Sequence, residues 1–275
     1  MKHMIDGVRY HVERRGQGFP LILLHGFTGD ATTWEPLCEA LEDQAECFAV
    51  DIIGHGKTDS PHDISRYRMM SVVDDLYLLM EKLRLAKADI LGYSMGGRLA
   101  LSFAEKYPRK VRKLILESSS PGLKTEEERK ARREKDEQLA AFIEEKGILE
   151  FVKYWENIPL FASQKKLPAN VRKKIREQRL RNSPAGLAAS LRGMGTGVQP
   201  SWWDDLENLD VETLLITGSL DEKFCRIAQQ MSEKLPRCRR VVVPGCGHAI
   251  HVEDCEKFVT IVKEFLSDTS LAGDG

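Results

Sequence analysis

"GYSMGGR", residues 92–98, follows a short apolar run closed by Ile90 and Leu91 and leads into residues with helical spacing. The pattern Gly-x-Ser-x-Gly at Gly92, Ser94 and Gly96 suits a strand that turns into a helix within a few residues. Such a turn holds the serine in a strained backbone conformation, and side chains two positions away on either side would collide. Ser94 then projects above the carboxyl edge of a sheet, at a helix N-terminus where the dipole favours developing negative charge. A chance match to the five-residue pattern has a probability on the order of 0.1 in a chain of this length, so the flanking strand and helix carry the inference. Arg98 stands on the same helix face one turn on, and activating a serine does not require it.

A serine hydroxyl needs a histidine to take its proton, and that histidine needs an acid to fix its tautomer. On this kind of turn the partners follow in the order acid, then histidine. Asp221, in the loop after the strand-like "TLLITG" (213–218), is the candidate acid. His248, in the glycine-bounded "PGCGHAIHVE" after "RRVVV", is the candidate base. Glu117 ends an earlier strand and is a rival acid. His251 is closer to the next helix and reads as a surface or capping residue. His25 in "LLHGFTGD" and His55 in "GHGKTDSP" read as structural or site-lining, and Asp51 as a turn residue. The backbone N–H groups of Met95 and Phe27 are the candidate oxyanion donors.

Further out, strand-length apolar runs at 21–24, 47–50, 88–91, 111–116, 214–217 and 240–243 alternate with helical segments at 34–42, 72–83, 95–107, 224–235 and 257–266. That alternation predicts an α/β fold with a mostly parallel, doubly wound sheet covered on both faces. It stops between residues 121 and 200, where the sequence is helical and highly charged. The expected organisation is a core of 1–120 and 201–275 with a helical lid, 121–200, inserted after the sixth strand. The lid carries 17 Lys+Arg against 11 Asp+Glu, net +6, while the remainder is net -7. The overall charge of -1 thus conceals a basic lid on an acidic body.

The chain has 275 residues, 42% of them hydrophobic, enough for one sizeable core. The balanced charge argues against a nucleic-acid partner. No leader-like segment and no run of eighteen apolar residues occurs, so no membrane insertion and a cytoplasmic location are expected. Six cysteines scattered without a CxxC pair read as free thiols and not as a metal site. A monomer and a homo-oligomer are both compatible with the sequence.

Taken together, "LLHGFTGD", "DIIGHGKTDSP", "GYSMGGRLAL", "GSLDEKF" and "GCGHAIH" resemble the α/β-hydrolase fold over nearly the whole chain. The lid segments "LESSSPGL", "EERKARREKD", "WENIPLFASQ" and "LRGMGTGVQPSWW", with "DEKF", resemble the 2-succinyl-6-hydroxy-2,4-cyclohexadiene-1-carboxylate synthases of the menaquinone pathway. Lids diverge widely within this fold, so agreement there is more specific than the triad. The resemblance implies elimination of pyruvate from an enolpyruvyl cyclohexene bearing several carboxylates, with no metal or organic cofactor. It gives Arg98 a purpose, since a guanidinium suits bidentate carboxylate binding. By the same resemblance Arg132 and Arg179 hold substrate carboxylates, with Arg176 and Arg181 as neighbours in register. Tyr93, Trp155, Phe161 and His25 complete the expected substrate-binding set. Two alternatives share these features: a serine hydrolase of an ester, thioester or C–C bond in an anionic molecule, and a non-catalytic binding protein, against which the intact Ser94, Asp221 and His248 argue.

Overall fold

The structure, a computed structural model, describes residues 1–268. Strands β1 (Lys2–Ile5), β2 (Val8–Arg15), β3 (Phe19–Leu24), β4 (Ala45–Val50), β5 (Ala88–Tyr93), β6 (Val111–Glu117), β7 (Glu212–Gly218) and β8 (Cys238–Val243) form one sheet in the order β1-β2-β4-β3-β5-β6-β7-β8. β2 pairs antiparallel with β1 and with β4, and the remaining neighbours are parallel. The helices are α1 (Glu35–Ala40), α2 (Met69–Lys82), α3 (Met95–Lys106), α4 (Glu126–Trp155), α5 (Ala169–Leu180), α6 (Pro184–Met194), α7 (Glu222–Ser232), α8 (Ile250–Glu253) and α9 (Cys255–Ser267).

Alternation along the central strands decides which layer each side chain joins. Ile22, Leu24, Ile90 and Leu114 pack with Val72, Leu76 and Leu99 of α2 and α3. Leu21, Leu23, Leu91, Ile115 and Leu214 point the other way, onto Leu37, Phe258 and Ile261 of α1 and α9. Both faces are covered, which is why these strands read as continuous apolar runs. The N-terminal hairpin β1–β2 escaped that reading because it lies at the sheet edge. Its signal was local: Asp6 and Gly7, both at positive φ (41° and 81°), form a two-residue Asp-Gly turn.

β3 lies between β4 and β5, so the chain leaves β3 to one side and returns on the other. The carboxyl ends of β3 and β5 therefore border a crevice, the place where ligands bind in doubly wound sheets. Between β6 and β7 the described chain is helical. Thr125 opens α4 with a capping box: its hydroxyl accepts the Glu128 N–H at 3.2 Å and the Glu128 carboxylate accepts the Thr125 N–H at 3.1 Å. α4 kinks at Gly147, whose φ of 75° few other residues would adopt. The two ends of this excursion meet where Trp202 N–H donates to the Pro121 carbonyl at 2.8 Å. All six cysteines are free thiols. Among the described residues no helix is long and apolar enough to cross a membrane.

Glu105, in the last turn of α3, has one buried carboxylate oxygen without a hydrogen-bond partner. Burial, with Asp205 adding repulsion, raises its pKa to about 7. The native state thus binds the extra proton between the ordinary carboxyl range and pH 7, and stability contributed by this group falls as pH rises through that window. Glu105→Gln is expected to raise the melting temperature at pH 8, by an amount corresponding to about 1–2 kcal/mol for a half-buried group. At pH 5 it should change little, and thermal denaturation at the two pH values checks the difference.

Candidate active site

β5 ends at Tyr93, and Ser94 sits at φ 51°, ψ -106°, before α3 begins at Met95. The flanking glycines are required by contact. A Cβ on Gly96 would lie 2.1 Å from the Leu24 carbonyl oxygen and 2.5 Å from that of His25, and one on Gly92 would lie 2.3 Å from the Gly96 oxygen. Helix α3 is thus seated directly on the end of β3. Ser94 N–H donates to the Glu117 carbonyl at 2.9 Å, and the Ser94 carbonyl accepts the Arg98 N–H at 3.0 Å and the Ser119 hydroxyl at 3.1 Å.

His248 Nε2 stands 3.0 Å from Ser94 Oγ, and its Nδ1 stands 2.6 Å from Asp221 Oδ2. With Asp221 ionised, Nδ1 donates to the carboxylate and Nε2 is left to accept the serine proton. Asp221 is itself held by the Phe224 N–H, which donates to Oδ1 at 3.3 Å from the first turn of α7. Three segments far apart in sequence therefore converge at the carboxyl edge of the sheet. Met95, as the first residue of α3, has an N–H with no intrahelical acceptor. The Phe27 residue of the β3 loop lines the same cavity.

That cavity, of about 790 Å³, is lined by Tyr93, Ser94, Met95, Phe27 and His248 below and by Arg132, Trp155 and Phe161 of the helical insertion above. Trp155 packs edge-on against Phe27 and Phe161, with ring centroids 5.4 and 5.7 Å apart, and Phe161 reaches the His248 ring. Arg98 lies in the cavity wall and is tied to the insertion: its Nη1 donates to the Met194 carbonyl at 2.7 Å and to Gln199. Burial pushes its guanidinium pKa down, with Arg132 reinforcing and Asp136 opposing. Arg132 Nε donates to Asp136 Oδ1 at 2.8 Å, leaving the other Asp136 oxygen buried without a hydrogen-bond partner. Burial raises the Asp136 carboxyl pKa although both arginines oppose it. Burial first and the Glu117 carboxylate second hold the Tyr93 phenol well above its ordinary value, so it is a hydrogen-bond donor at neutral pH.

Several expected positions turn out differently. His25 does not reach the cavity: it is fully buried, its Nδ1 lies 2.8 Å from the Gly26 carbonyl, and its Nε2 accepts the Ile52 N–H at 3.0 Å. It is a strut between the β3 and β4 loops, and it abuts the His55 ring, whose pKa burial lowers to about 3. His251 is buried, not at the surface, and is engaged by Glu117, the rival acid. Arg179 faces an adjoining cleft of about 510 Å³ and does not line the cavity above Ser94; Phe27, Tyr93 and Phe161 border both spaces. Its guanidinium stacks 4.7 Å from the Phe161 ring and donates to Gln164. Arg176 is paired with Glu156 and Arg181 with Asp30. Asp51, in keeping with its reading as a turn residue, accepts the N–H groups of Ala31 and Lys57.

Sequence reasoning passed over two cations that also line the cavity, Lys135 and Lys223. Burial, then repulsion from Arg132 and Lys135, lowers the Lys223 pKa, with Asp221 opposing. The "DEKF" segment that contains it was the available signal. Among the described residues no group of three or more His, Cys, Asp or Glu side chains could hold a metal ion.

A doubly wound sheet, a glycine-flanked serine at positive φ and a Ser-His-Asp relay under a helical insertion define a protein of the α/β-hydrolase class. The family model described as the alpha/beta hydrolase fold matches residues 20–254. The chain is 49% identical over 264 residues to a Bacillus subtilis (strain 168) protein named putative 2-succinyl-6-hydroxy-2,4-cyclohexadiene-1-carboxylate synthase, covering 95% of this chain and 96% of that one. The solved structure of MenH from S. aureus superposes with a TM-score of 0.89 at 36% identity, over 94% of this chain and 97% of that one. A thermophilic esterase from Thermogutta terrifontis, solved with malate bound, gives 0.84 at 28% identity, over 97% and 98%. The chain belongs to the 2-succinyl-6-hydroxy-2,4-cyclohexadiene-1-carboxylate synthase family.

Gly96→Ala tests the seating of α3. The added methyl group has only backbone to displace, so Ser94 and the Met95 N–H must move. Reaction of Ser94 with a fluorophosphonate should slow by about 10²-fold, the cost of misplacing a reacting group by roughly 1 Å. Labelling rate measured beside circular dichroism separates this loss from unfolding.

Proposed function

We propose that the protein is a carbon–oxygen lyase of menaquinone biosynthesis. It eliminates pyruvate from 2-succinyl-5-enolpyruvyl-6-hydroxy-3-cyclohexene-1-carboxylate to give 2-succinyl-6-hydroxy-2,4-cyclohexadiene-1-carboxylate. The observation that carries this reading is the pairing of a serine relay with arginines in one cavity: Ser94 and His248 share its wall with Arg98 and Arg132. A relay for neutral esters has no need of those cations. The substrate carries three carboxylates, and charged hydrogen bonds to them suit the guanidinium fork.

In the proposed reaction Asp221 orients His248, His248 draws the proton from Ser94 Oγ, and Ser94 acts as a base. It removes the ring proton at C2, next to the succinyl ketone. The C2–H electron pair becomes the C2=C3 bond, the former C3=C4 pair moves to C4=C5, and the C5–O bond breaks. The departing enolpyruvate takes a proton on carbon and becomes pyruvate. While C2 is losing its proton, the ketone oxygen gathers negative charge, which the Phe27 and Met95 N–H groups receive. A positioned base supplies about 10²–10⁴ in rate, and an oxyanion donor typically about 10²–10³. Residues 121–200 act as the lid: Trp155 and Phe161 cover the ring, and Arg98, Arg132 and Arg179 hold carboxylates. For Arg179 this requires a substrate arm that passes between Phe161 and Tyr93 into the adjoining cleft.

Pyruvate release from freshly made enolpyruvyl substrate, followed in a coupled assay, tests the reading. Turnover is expected to fall by about 10³-fold or more in Ser94→Ala. Arg98→Ala and Arg132→Ala should each lower kcat/KM for this substrate by about 10–100-fold, the worth of a charged hydrogen bond, while hydrolysis of p-nitrophenyl acetate changes far less. Equal losses on both substrates would make the arginines structural. The hydrolase alternative rests on the same relay and on the 28% identity to a solved esterase. Mass spectrometry separates the two, because an acyl adduct on Ser94 with the natural substrate belongs to a hydrolase and is absent from the lyase sequence.

A further inference from the structure

We infer that Glu117 and His251 form a buried positioning strut that sets the distance between Ser94 and His248. The inference rests on the reading of Ser94 and His248 as the reacting pair. Glu117 is fully buried, and a carboxylate withdrawn from water must be compensated by partners. Its partners all come from one turn of chain. Oε1 accepts the His251 backbone N–H at 3.0 Å, and both carboxylate oxygens stand 2.9 Å from His251 Nδ1. The backbone carbonyl of the same Glu117 accepts the Ser94 N–H at 2.9 Å. A single residue at the end of β6 therefore grips the serine turn with its main chain and the histidine turn with its side chain.

His251 stands three residues after His248, so any shift of one is passed to the other through a short, rigid segment. The opposite side of that segment is also held: Glu253 accepts the N–H groups of Gly247 and Ala249, which flank His248, at 2.6 and 3.3 Å. Tyr93, paired with Glu117 across the sheet, fills the space between the two histidines, its ring 5.4 Å from His248 and 4.6 Å from His251. Trp34 closes the far side of His251 at 5.2 Å. A reacting pair tolerates only about 0.5 Å of displacement, and this strut links the Ser94 backbone to the His248 turn through the main chain and side chain of one residue, Glu117.

Glu117→Leu, Glu117→Gln and His251→Phe, each normalised to folded protein, test the strut through two readouts: fluorophosphonate labelling of Ser94, and kcat and KM for pyruvate release. Glu117→Leu is expected to lower labelling and kcat together by about 10²-fold with KM within twofold. Glu117→Gln, which retains an acceptor for the His251 N–H, should recover most of that loss. His251→Phe keeps the ring packing and loses only the side-chain bond, and it should cost at least about tenfold in both; it carries the test if Glu117→Leu does not fold. Unchanged labelling and kcat per folded molecule, with only a lowered melting temperature, would overturn the proposal. So would a raised KM with unchanged kcat. Failure of the lyase reading would look different, since wild-type protein would then label rapidly with fluorophosphonate and release no pyruvate.

Discussion

The contact between Gly96 and the carbonyls of Leu24 and His25 is the constraint from which the site follows. α3 sits on the end of β3 with no room for a methyl group, and Ser94, at positive φ, turns the chain from β5 into that helix. Phe27 lies in the loop after β3, so Ser94 and both candidate oxyanion donors border one close approach of backbone to backbone. Backbone contacts of this kind do not relax by rotamer changes, and that makes the geometry stiff where the chemistry needs it stiff. The loop itself is braced from below by His25, whose two ring nitrogens are both occupied by main chain.

Above this rigid floor the insertion supplies charge in a different manner. Arg98 belongs to α3 yet donates to Met194 and Gln199, so the floor and the cover share a cation. Arg132, Lys135 and Lys223 crowd the same space, with Asp136 beside Arg132 and Asp221 acting on Lys223. The mutual repulsion of these cations is a cost in the free protein, and a polyanion entering the cavity relieves it. Under the proposed function, that electrostatic relief would favour a substrate bearing several carboxylates.

How much of this could be read from the sequence varies with the range of the interaction involved. The parallel core was legible because strands buried on both faces are apolar throughout, and the serine turn because glycines mark close approaches. Asp221 and His248 were legible as polar residues in loops directly after strands. The edge hairpin was overlooked although Asp6-Gly7 is a local sign of it. His251 was misjudged because nothing near it in sequence says it is buried; its partner Glu117 is 134 residues away. His25 was misplaced for a similar reason, since its role depends on an N–H from β4's loop. For Arg179, helix membership alone could not say which of two adjoining spaces its side chain enters.

The excursion between β6 and β7 is closed at its base by the Trp202 N–H on the Pro121 carbonyl and the Trp203 indole N–H on the Gly122 carbonyl. The entropy of closing a loop grows only with the logarithm of its length once its ends are joined. Insertions and deletions inside the excursion therefore press little on the sheet, while Ser94, Asp221 and His248 all lie outside it. The three relay residues can thus stay fixed while the side chains that face them from the excursion, Phe161 on the His248 ring among them, change the shape of the space above Ser94.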